Sequence, residues 1–193
     1  MYEYSAKGGK ENVMVAIVFD TETTGLIGTR LVRDQYLPEI TEFYGCKVDL
    51  STDDPPQEEL HYLAKPSLGP VAEEIEKKTH ITNEMLKNEK PFKEYAERTR
   101  RFLQRSEAVI AHNCAFDKEI IEIELNRSNV LIAWPRLICT VEQTLHLQGK
   151  RLSLSALHEH LFGIKHKDAH RAKPDVEALV RCCRKLYRNG DLE

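Results

Sequence analysis

The chain has 193 residues, of which 41% are hydrophobic and 31% charged, and its net charge is −3 at pH 7. This composition is typical of a globular protein with a proper hydrophobic core. It provides no overall basic surface, although an enzyme acting on nucleic acid needs only local positive charge. The five scattered cysteines lack a C-x-x-C pair and therefore predict neither a disulfide framework nor a zinc site.

The length predicts one domain over residues 1–193, with the polar residues 1–12 as a flexible N-terminal segment. No apolar run reaches membrane length, and the N-terminus lacks a secretory apolar core. We therefore expect a cytoplasmic, intracellular protein without membrane contact. It is either an ordinary cellular protein or one made inside a host cell.

The first predicted elements are strands. The apolar run at 13–19 does not alternate, which predicts a strand buried on both faces. Glycines, charges and a proline predict a loop at 27–38. The patterns at 39–50 and 58–67 predict two further strands that form a meander with the first.

Helices and two more strands are predicted downstream of Pro70. Helical periodicity and short apolar runs mark, in order, helices at 91–106, 112–128, 153–163 and from near Pro174, and strands at 107–111 and around 136–141. This order predicts an α/β sheet covered by helices on both faces.

Two carboxylates follow the first strand with one residue between them. If the strand continues through Asp20 and Glu22, its period of two places both on one side of the sheet, at the edge where ligands of open α/β sheets bind. Burying two like charges costs free energy unless a cation or a proton compensates. The alternative is that Asp20 caps a turn and Glu22 is solvated.

Two further acids stand at the starts of predicted helices, Asp117 and Asp175. Each alone is an ordinary first-turn acid that the helix dipole favours. If the sheet brings all four acids together, they form an oxygen-rich site suited to Mg²⁺ or Mn²⁺. Two such ions could serve an in-line phosphoryl displacement.

A histidine lies in the polar loop just before the last acid. His170 precedes Asp175 by five residues, and an imidazole of near-neutral pKa can take a proton from metal-bound water. The alternative is a solvated loop histidine.

Three segments together resemble the signatures of the DEDDh, DnaQ-like 3′→5′ exonucleases: FDTETTGL, AHNCAFD and HRAKPD. The resemblance runs from about residue 13 to residue 188 and is carried by the order and spacing of all three. It implies a ribonuclease H-like mixed sheet of five strands, one of them antiparallel. It also implies that two ions are bound by Asp20, Glu22, Asp117 and Asp175, with His170 as general base.

The resemblance further implies which residues meet the substrate. Thr23, Thr24 and Leu26 would lie along the terminal nucleotide, whose 3′ end would approach the backbone near Gly25. Phe116 would pack against a base or sugar, and a core aromatic is an equal alternative.

Some features depart from the family pattern. The sequence Thr79-His80-Ile81-Thr82 stands where many members carry H-G-I-T, so the histidine is displaced by one place. The 27–38 loop is longer than expected and could shape a substrate channel or cover the sheet edge. The end of the chain soon after the last helix favours a nuclease that is free-standing or recruited through its surface.

Four basic residues surround the loop histidine: Arg171, Lys173, Lys165 and Lys167. They could neutralise backbone phosphates that approach an acidic site. Alternatively, they are solvated, because polar loops collect lysines.

The leading hypothesis is a metal-dependent 3′→5′ exonuclease that acts on single-stranded DNA or RNA ends, with DNA favoured. An exoribonuclease of the ribonuclease T or oligoribonuclease type is the first alternative. A non-catalytic nucleic-acid-binding module is disfavoured because all five site residues are present. A phosphodiesterase of mononucleotide esters is a third reading. A polymerase or replication partner, and the oligomeric state, are left open.

Overall fold

The structure is a computed structural model that describes residues 14–28, 37–166 and 170–192. The predictions for residues 1–12 and for Lys167 lie outside the described residues, as does most of the 27–38 loop. Among the residues that are described, every helix is too short or too polar to traverse a bilayer.

The described residues form a five-stranded sheet in the order β3-β2-β1-β4-β5. Its strands are β1 (Val15–Thr23), β2 (Ile40–Asp49), β3 (Glu58–Leu63), β4 (Ala108–Ala111) and β5 (Arg136–Cys139). β2 runs antiparallel to β1 and β3, whereas β4 is parallel to β1 and β5. The predicted meander and the mixed sheet with one antiparallel strand are therefore confirmed.

The helices of the described residues surround this sheet. They are α1 (Glu73–Thr79), α2 (Asn83–Leu86), α3 (Ala96–Leu103), α4 (Cys114–Arg127), α5 (Thr140–Gln143), α6 (Leu145–Gln148), α7 (Leu154–Phe162) and α8 (Ala172–Asn189). The helix predicted at 91–106 is shorter, because the chain first makes a separate 3-10 turn, Phe92–Glu94, closed by the Tyr95 N–H on the Phe92 carbonyl at 2.7 Å.

Alternate residues of the strands enter two separate cores. On β1, Ala16 and Val18 belong to the core that α8 covers, and Ile17 and Phe19 belong to the core that α3 and α4 cover. Complete burial of one such aliphatic or aromatic side chain contributes about 1.5–3 kcal/mol. Burial on both sides explains why the β1 sequence is apolar without alternation.

Candidate active site

The two acids of the first motif lie within strand β1. The strand continues to Thr23, so Asp20 and Glu22 share the side on which Ala16 and Val18 meet α8. Asp20 pairs with Tyr44 and Glu22 with Glu42 across the ladder to β2. The alternative of a turn cap and a solvated glutamate is wrong, because both residues are half-buried parts of the strand.

Helix α8 brings a third carboxylate to this pair. Asp175 lies in its first turn, and ligand oxygens of Asp20, Glu22 and Asp175 lie within 4.8 Å of one another. Within the part of the chain that the structure describes, this is the group of three or more acids, histidines or cysteines whose ligand atoms lie close enough together to hold a metal ion. We call it the three-carboxylate cluster.

All three carboxylates of the cluster have raised pKa values. Burial, followed by the charges of Asp117 and Glu22, raises the pKa of Asp20 well above its ordinary value. Burial, followed by the charge of Asp175, raises the pKa of Glu22 to about 8. Burial also raises the pKa of Asp175. These carboxylates fit a divalent cation, since they offer hard oxygen ligands and a cation relieves both their burial and their repulsion.

Asp117 reaches the same sheet edge from the other face. It lies in the first turn of α4 and is buried. Its Oδ1 accepts hydrogen bonds from the Thr21 hydroxyl at 2.7 Å and the Thr21 N–H at 3.1 Å. Thr21 points opposite to Asp20 and Glu22 in the strand, so it meets α4 while they meet α8. The charge of Asp117 therefore raises the pKa of Asp20, although Asp117 is not a member of the three-carboxylate cluster.

The pKa of Asp117 is raised to about 7. Burial is the main cause, and the two hydrogen bonds from Thr21 act in the opposite direction. Thr21 is a site residue that sequence reasoning missed. Its place between the two acids of the first motif was the available signal.

Two histidines contact Asp175. The His170 N–H donates to Asp175 Oδ2 at 2.8 Å, and His170 has a left-handed backbone with φ 73°. Its side chain is exposed, and partial burial followed by the charge of Lys78 lowers its pKa. His166, which sequence reasoning missed, places Nε2 2.7 Å from Asp175 Oδ1, and its side chain is only 6% exposed. Both oxygens of Asp175 are thus held by the loop that precedes α8.

The residues predicted to meet the substrate follow the cluster directly. The Thr23 hydroxyl donates to the Gly25 carbonyl at 2.5 Å, and the Thr24 hydroxyl accepts from the Glu39 N–H at 3.0 Å. Leu26 is 78% exposed, and a side chain at Gly25 would meet no atom within 4 Å. This segment therefore presents an open, ordered edge beyond Glu22.

A surface cleft of about 220 Å³ lies along this edge. Its lining includes Thr24, Gly25 and Leu26 on one side and Leu68 to Pro70 on the other. The two sides are joined through Glu39, whose carboxylate accepts hydrogen bonds from the Ser67 and Leu68 N–H groups. The cleft is polar and open to solvent.

Phe116 is half-buried and packs against the core beneath α3 and α4. This contact supports the core alternative for the buried part of the ring. The exposed part leaves contact with a base or sugar as a prediction.

Among the basic residues near His170, Lys165 and Lys173 are exposed, in line with the solvated alternative, whereas Arg171 differs from both expectations. Arg171 is neither solvated nor directed at a phosphate site, because its guanidinium forms two hydrogen bonds with the buried carboxylate of Glu42. Lys173 lies 3.9 Å from Glu59, and Lys165 lies 3.9 Å from Glu159.

A lysine from another element acts on the site instead. The positive charge of Lys78, near the end of α1, opposes the rise in the pKa of Glu22 and contributes to the lowered pKa of His170. His80 follows as the C-cap of α1, with a left-handed φ of 57°. The displaced histidine thus occupies a backbone position that favours glycine.

A family model named RNase_T and described as Exonuclease matches residues 17–182 of the chain. Among curated proteins, the subunit epsilon of DNA polymerase III from Pasteurella multocida (strain Pm70) is 31% identical over 176 residues. That match covers 85% of this chain and 64% of the subunit, so the chain corresponds to only part of the length of this relative.

Solved structures share the fold at lower identity. The nuclease domain of 3′hExo, a DEDDh family member bound to rAMP, has a TM-score of 0.76 at 12% identity and covers 96% of this chain and 98% of that one. Exonuclease X in complex with 5′ overhanging duplex DNA has a TM-score of 0.61 at 22% identity, covering 91% and 93%. The zinc-bound E. coli ExoI–ssDNA complex has a TM-score of 0.72 at 17% identity, covering 90% and 40%.

The family match spans most of the chain and includes the strand with Asp20 and Glu22, the helix with Asp117 and the first turn with Asp175. The fold of the solved exonucleases is the same mixed sheet with helices on both faces. The chain therefore belongs to the exonuclease family, and it has the fold of a solved DEDDh family member.

Proposed function

We propose that this protein removes nucleoside 5′-monophosphates from the 3′ ends of single-stranded nucleic acid, with DNA favoured over RNA, by a two-metal-ion mechanism. The observation that carries the proposal is the three-carboxylate cluster of Asp20, Glu22 and Asp175, with oxygens within 4.8 Å of one another. Its raised pKa values fit a site built for cations.

Each acid has a role in this proposal. Asp20, Glu22 and Asp175 bind the ions, Mg²⁺ or Mn²⁺, and Asp117 completes the set from the other face of the sheet through its position beside Asp20. Two divalent ions bound there would activate a water molecule and stabilise the leaving oxygen. Thr21 fixes the orientation of the Asp117 carboxylate.

His170 is the proposed general base. Its lowered pKa keeps the imidazole neutral near pH 7, so it can accept the proton of the attacking water. Its exposed side chain can reach a substrate, while its backbone N–H stays bonded to Asp175. The base is thereby tied to a metal ligand.

The terminal nucleotide is proposed to bind along Thr23, Thr24, Gly25 and Leu26. The adjoining cleft of about 220 Å³ provides a place for its base or sugar, and Leu26 offers an exposed apolar surface that a base can cover. Phe116 is proposed to complete this surface from the start of α4.

The preference for single-stranded DNA is supported by what the relatives bind or belong to. The curated relative is named as a subunit of a DNA polymerase, and the ExoI structure contains single-stranded DNA. The polymerase name also supports a polymerase as a protein partner. An exoribonuclease is the second candidate, favoured by the rAMP in the 3′hExo structure, whose TM-score is 0.76.

A gel assay with 5′-labelled single-stranded DNA and RNA of one sequence tests the proposal. Each oligomer is incubated with Mg²⁺, with Mn²⁺ or with a chelator, alongside Asp20→Ala and the matched exposed control Glu84→Gln. We expect a metal-dependent ladder that shortens from the 3′ end, is stronger on DNA, persists in the control and is lost in Asp20→Ala. Intact oligomers under every condition would reject the proposal, and shortening of RNA alone would establish the second candidate.

A further inference from the structure

A second glutamate stands directly opposite the proposed metal ligand Glu22. Glu42 on β2 is its partner in the antiparallel register, and the side chain of Glu42 is 1% exposed. A carboxylate so deeply buried requires compensation by charge or by hydrogen bonds.

Protein donors provide that compensation completely. Glu42 Oε1 lies 2.8 Å from His61 Nε2 and accepts from Arg171 Nη2 at 2.9 Å. Its Oε2 accepts from Arg171 Nε at 2.9 Å and from the Ala172 N–H at 3.1 Å. The guanidinium therefore binds both oxygens in the bidentate geometry that gives the strongest charge-assisted hydrogen bonds.

The charge state of Glu42 follows from these contacts. Burial alone would raise its pKa, but the hydrogen bonds from His61, Arg171 and Ala172 lower it to about 2. Glu42 is therefore ionised at neutral pH. Its charge is balanced by Arg171, which distinguishes it from the carboxylates of the three-carboxylate cluster.

Arg171 connects this ion pair to His170 and Asp175. It directly follows His170, and its carbonyl accepts the Asp175 N–H at 3.0 Å as the first turn of α8 forms. The His170 N–H in turn bonds Asp175 Oδ2 at 2.8 Å. Glu42 thus holds both the side chain of Arg171 and the backbone of Ala172, at the turn where base and ligand meet.

Arg171 is the N-cap residue of α8 but forms no capping hydrogen bond with its side chain. The left-handed φ of 73° at His170 costs free energy for a non-glycine residue. Besides Asp175, which accepts the His170 N–H, Glu42 holds this turn from strand β2 through Arg171 and Ala172.

We propose that Glu42 and Arg171 are positioning residues: their ion pair fixes the His170 turn and the start of α8 against the sheet edge, so that Asp175 and His170 face Glu22 before metal or substrate binds. This inference rests on the proposed function for its activity readout. Its metal readout does not depend on that function.

Four variants test the pair. Arg171→Met removes the charge at similar length, Arg171→Lys keeps the charge without the fork, Glu42→Gln keeps an acceptor without the charge, and Glu42→Gln combined with Arg171→Met removes both charges. Arg188→Met is the matched control, because it breaks the ion pair with Asp53 at the far end of the same helix. Circular dichroism melts establish that each variant is folded at the assay temperature.

The first measurement is the Mn²⁺ affinity by electron paramagnetic resonance titration. We expect Arg171→Met to weaken Mn²⁺ binding by about tenfold to a hundredfold, the range for loss of an outer-shell partner. Arg171→Lys should recover part of this loss, and Arg188→Met should bind as the parent does. Unchanged Mn²⁺ affinity in folded Arg171→Met would overturn the inference, even if the parent protein proves to have no nuclease activity.

The second measurement is steady-state kinetics on the 5′-labelled DNA oligomer. A positioning role predicts that kcat falls about tenfold or more while KM changes little. It also predicts that the double variant is no worse than the worse single variant, since coupled residues are not additive. A raised KM with unchanged kcat would instead make Arg171 a substrate-binding residue and overturn the positioning role.

Loss of activity in Glu22→Gln alongside active parent protein would uphold the proposed function on its own. The two proposals therefore fail separately: an inactive parent rejects the function, and intact metal affinity in Arg171→Met rejects the positioning role.

Discussion

Glu22 and Glu42 are paired across the β1–β2 ladder, and their pKa values are shifted in opposite directions. The pKa of Glu22 is raised to about 8, chiefly by burial and then by the charge of Asp175. The pKa of Glu42 is lowered to about 2, because hydrogen bonds from His61, Arg171 and Ala172 outweigh its burial. Within this one register pair, Glu42 is thus neutralised by donors of the protein, whereas Glu22 belongs to the three-carboxylate cluster.

Divalent metal should stabilise the folded protein through Glu22. Added Mg²⁺ at a hundred times its Kd is expected to raise the free energy of unfolding by about 2.7 kcal/mol, since it binds only the folded state. In Glu22→Gln the metal effect should shrink, and the metal-free variant should be as stable as the parent or more so, because one repelling carboxylate is gone. Thermal melts with Mg²⁺ or chelator measure both effects.

The exposed control Glu84→Gln should keep the full metal effect, because its side chain is 81% exposed and its ion pair with Lys87, at 3.5 Å, lies at the surface. Equal metal-dependent shifts in Tm for Glu22→Gln and the parent protein would contradict the assignment of Glu22 as a ligand.

Thr21→Val should impair both stability and activity. The substitution removes the hydroxyl that donates to Asp117 at 2.7 Å and keeps the Thr21 N–H, which donates to the same oxygen at 3.1 Å. Loss of a partner to a buried carboxylate costs about 1–3 kcal/mol, measured here by urea unfolding. We expect kcat to fall about tenfold, as for other outer-shell changes.

Thr41→Val is the matched control on the neighbouring strand. The Thr41 hydroxyl is buried and has no hydrogen-bond partner among the described residues. The same substitution should therefore be neutral or stabilising by about 1 kcal/mol. Equal losses in the two variants would show that the Thr21 hydroxyl has no special role.

Glu124 should make stability depend on pH. Burial raises its pKa from 4.5 to about 7, against the opposing effects of the Ile40 N–H and Arg127. Because the folded protein binds this proton more tightly, ionisation destabilises it: the cost is absent below pH 4.5, grows as the pH rises to about 7 and is constant above. The full cost is on the order of 3 kcal/mol.

Glu124→Gln removes that cost and keeps an oxygen to accept the Ile40 N–H, which donates at 3.0 Å. We expect the variant to match the parent at pH 4.5 and to exceed it in urea unfolding at pH 8. A stability difference that stays constant between these two pH values would refute a raised pKa at Glu124.

Gly45→Ala should destabilise the protein without affecting the site. A Cβ at this position would lie 2.8 Å from Phe102 Cε1 and 3.3 Å from atoms of Phe19 and Phe43. Overpacking of this kind costs about 1–3 kcal/mol. Adding Phe102→Leu should recover part of the loss, which a double-mutant cycle in urea detects; strictly additive losses would speak against the clash.

The sheet and the nuclease family were predictable from local patterns. The run at 13–19 indicated a strand buried on both faces, because successive side chains of a strand point to opposite faces and all of these side chains are apolar. The spacing of Asp20, Glu22, Asp117, His170 and Asp175 carried the family resemblance, which the match over residues 17–182 confirms. The roles of those residues and the one-domain reading stay predictions.

The tertiary structure alone decided what surrounds those acids. Arg171 and Glu42 are 129 residues apart, and Thr21 and Asp117 are 96 apart. No local pattern distinguishes Glu42 from the other acids of the chain, because its partner depends on strand register and on where α8 docks. The sequence by itself therefore determined which residues have the chemistry for a metal site. Long-range packing decided which carboxylate is paired with an arginine and which carboxylates gather in the three-carboxylate cluster.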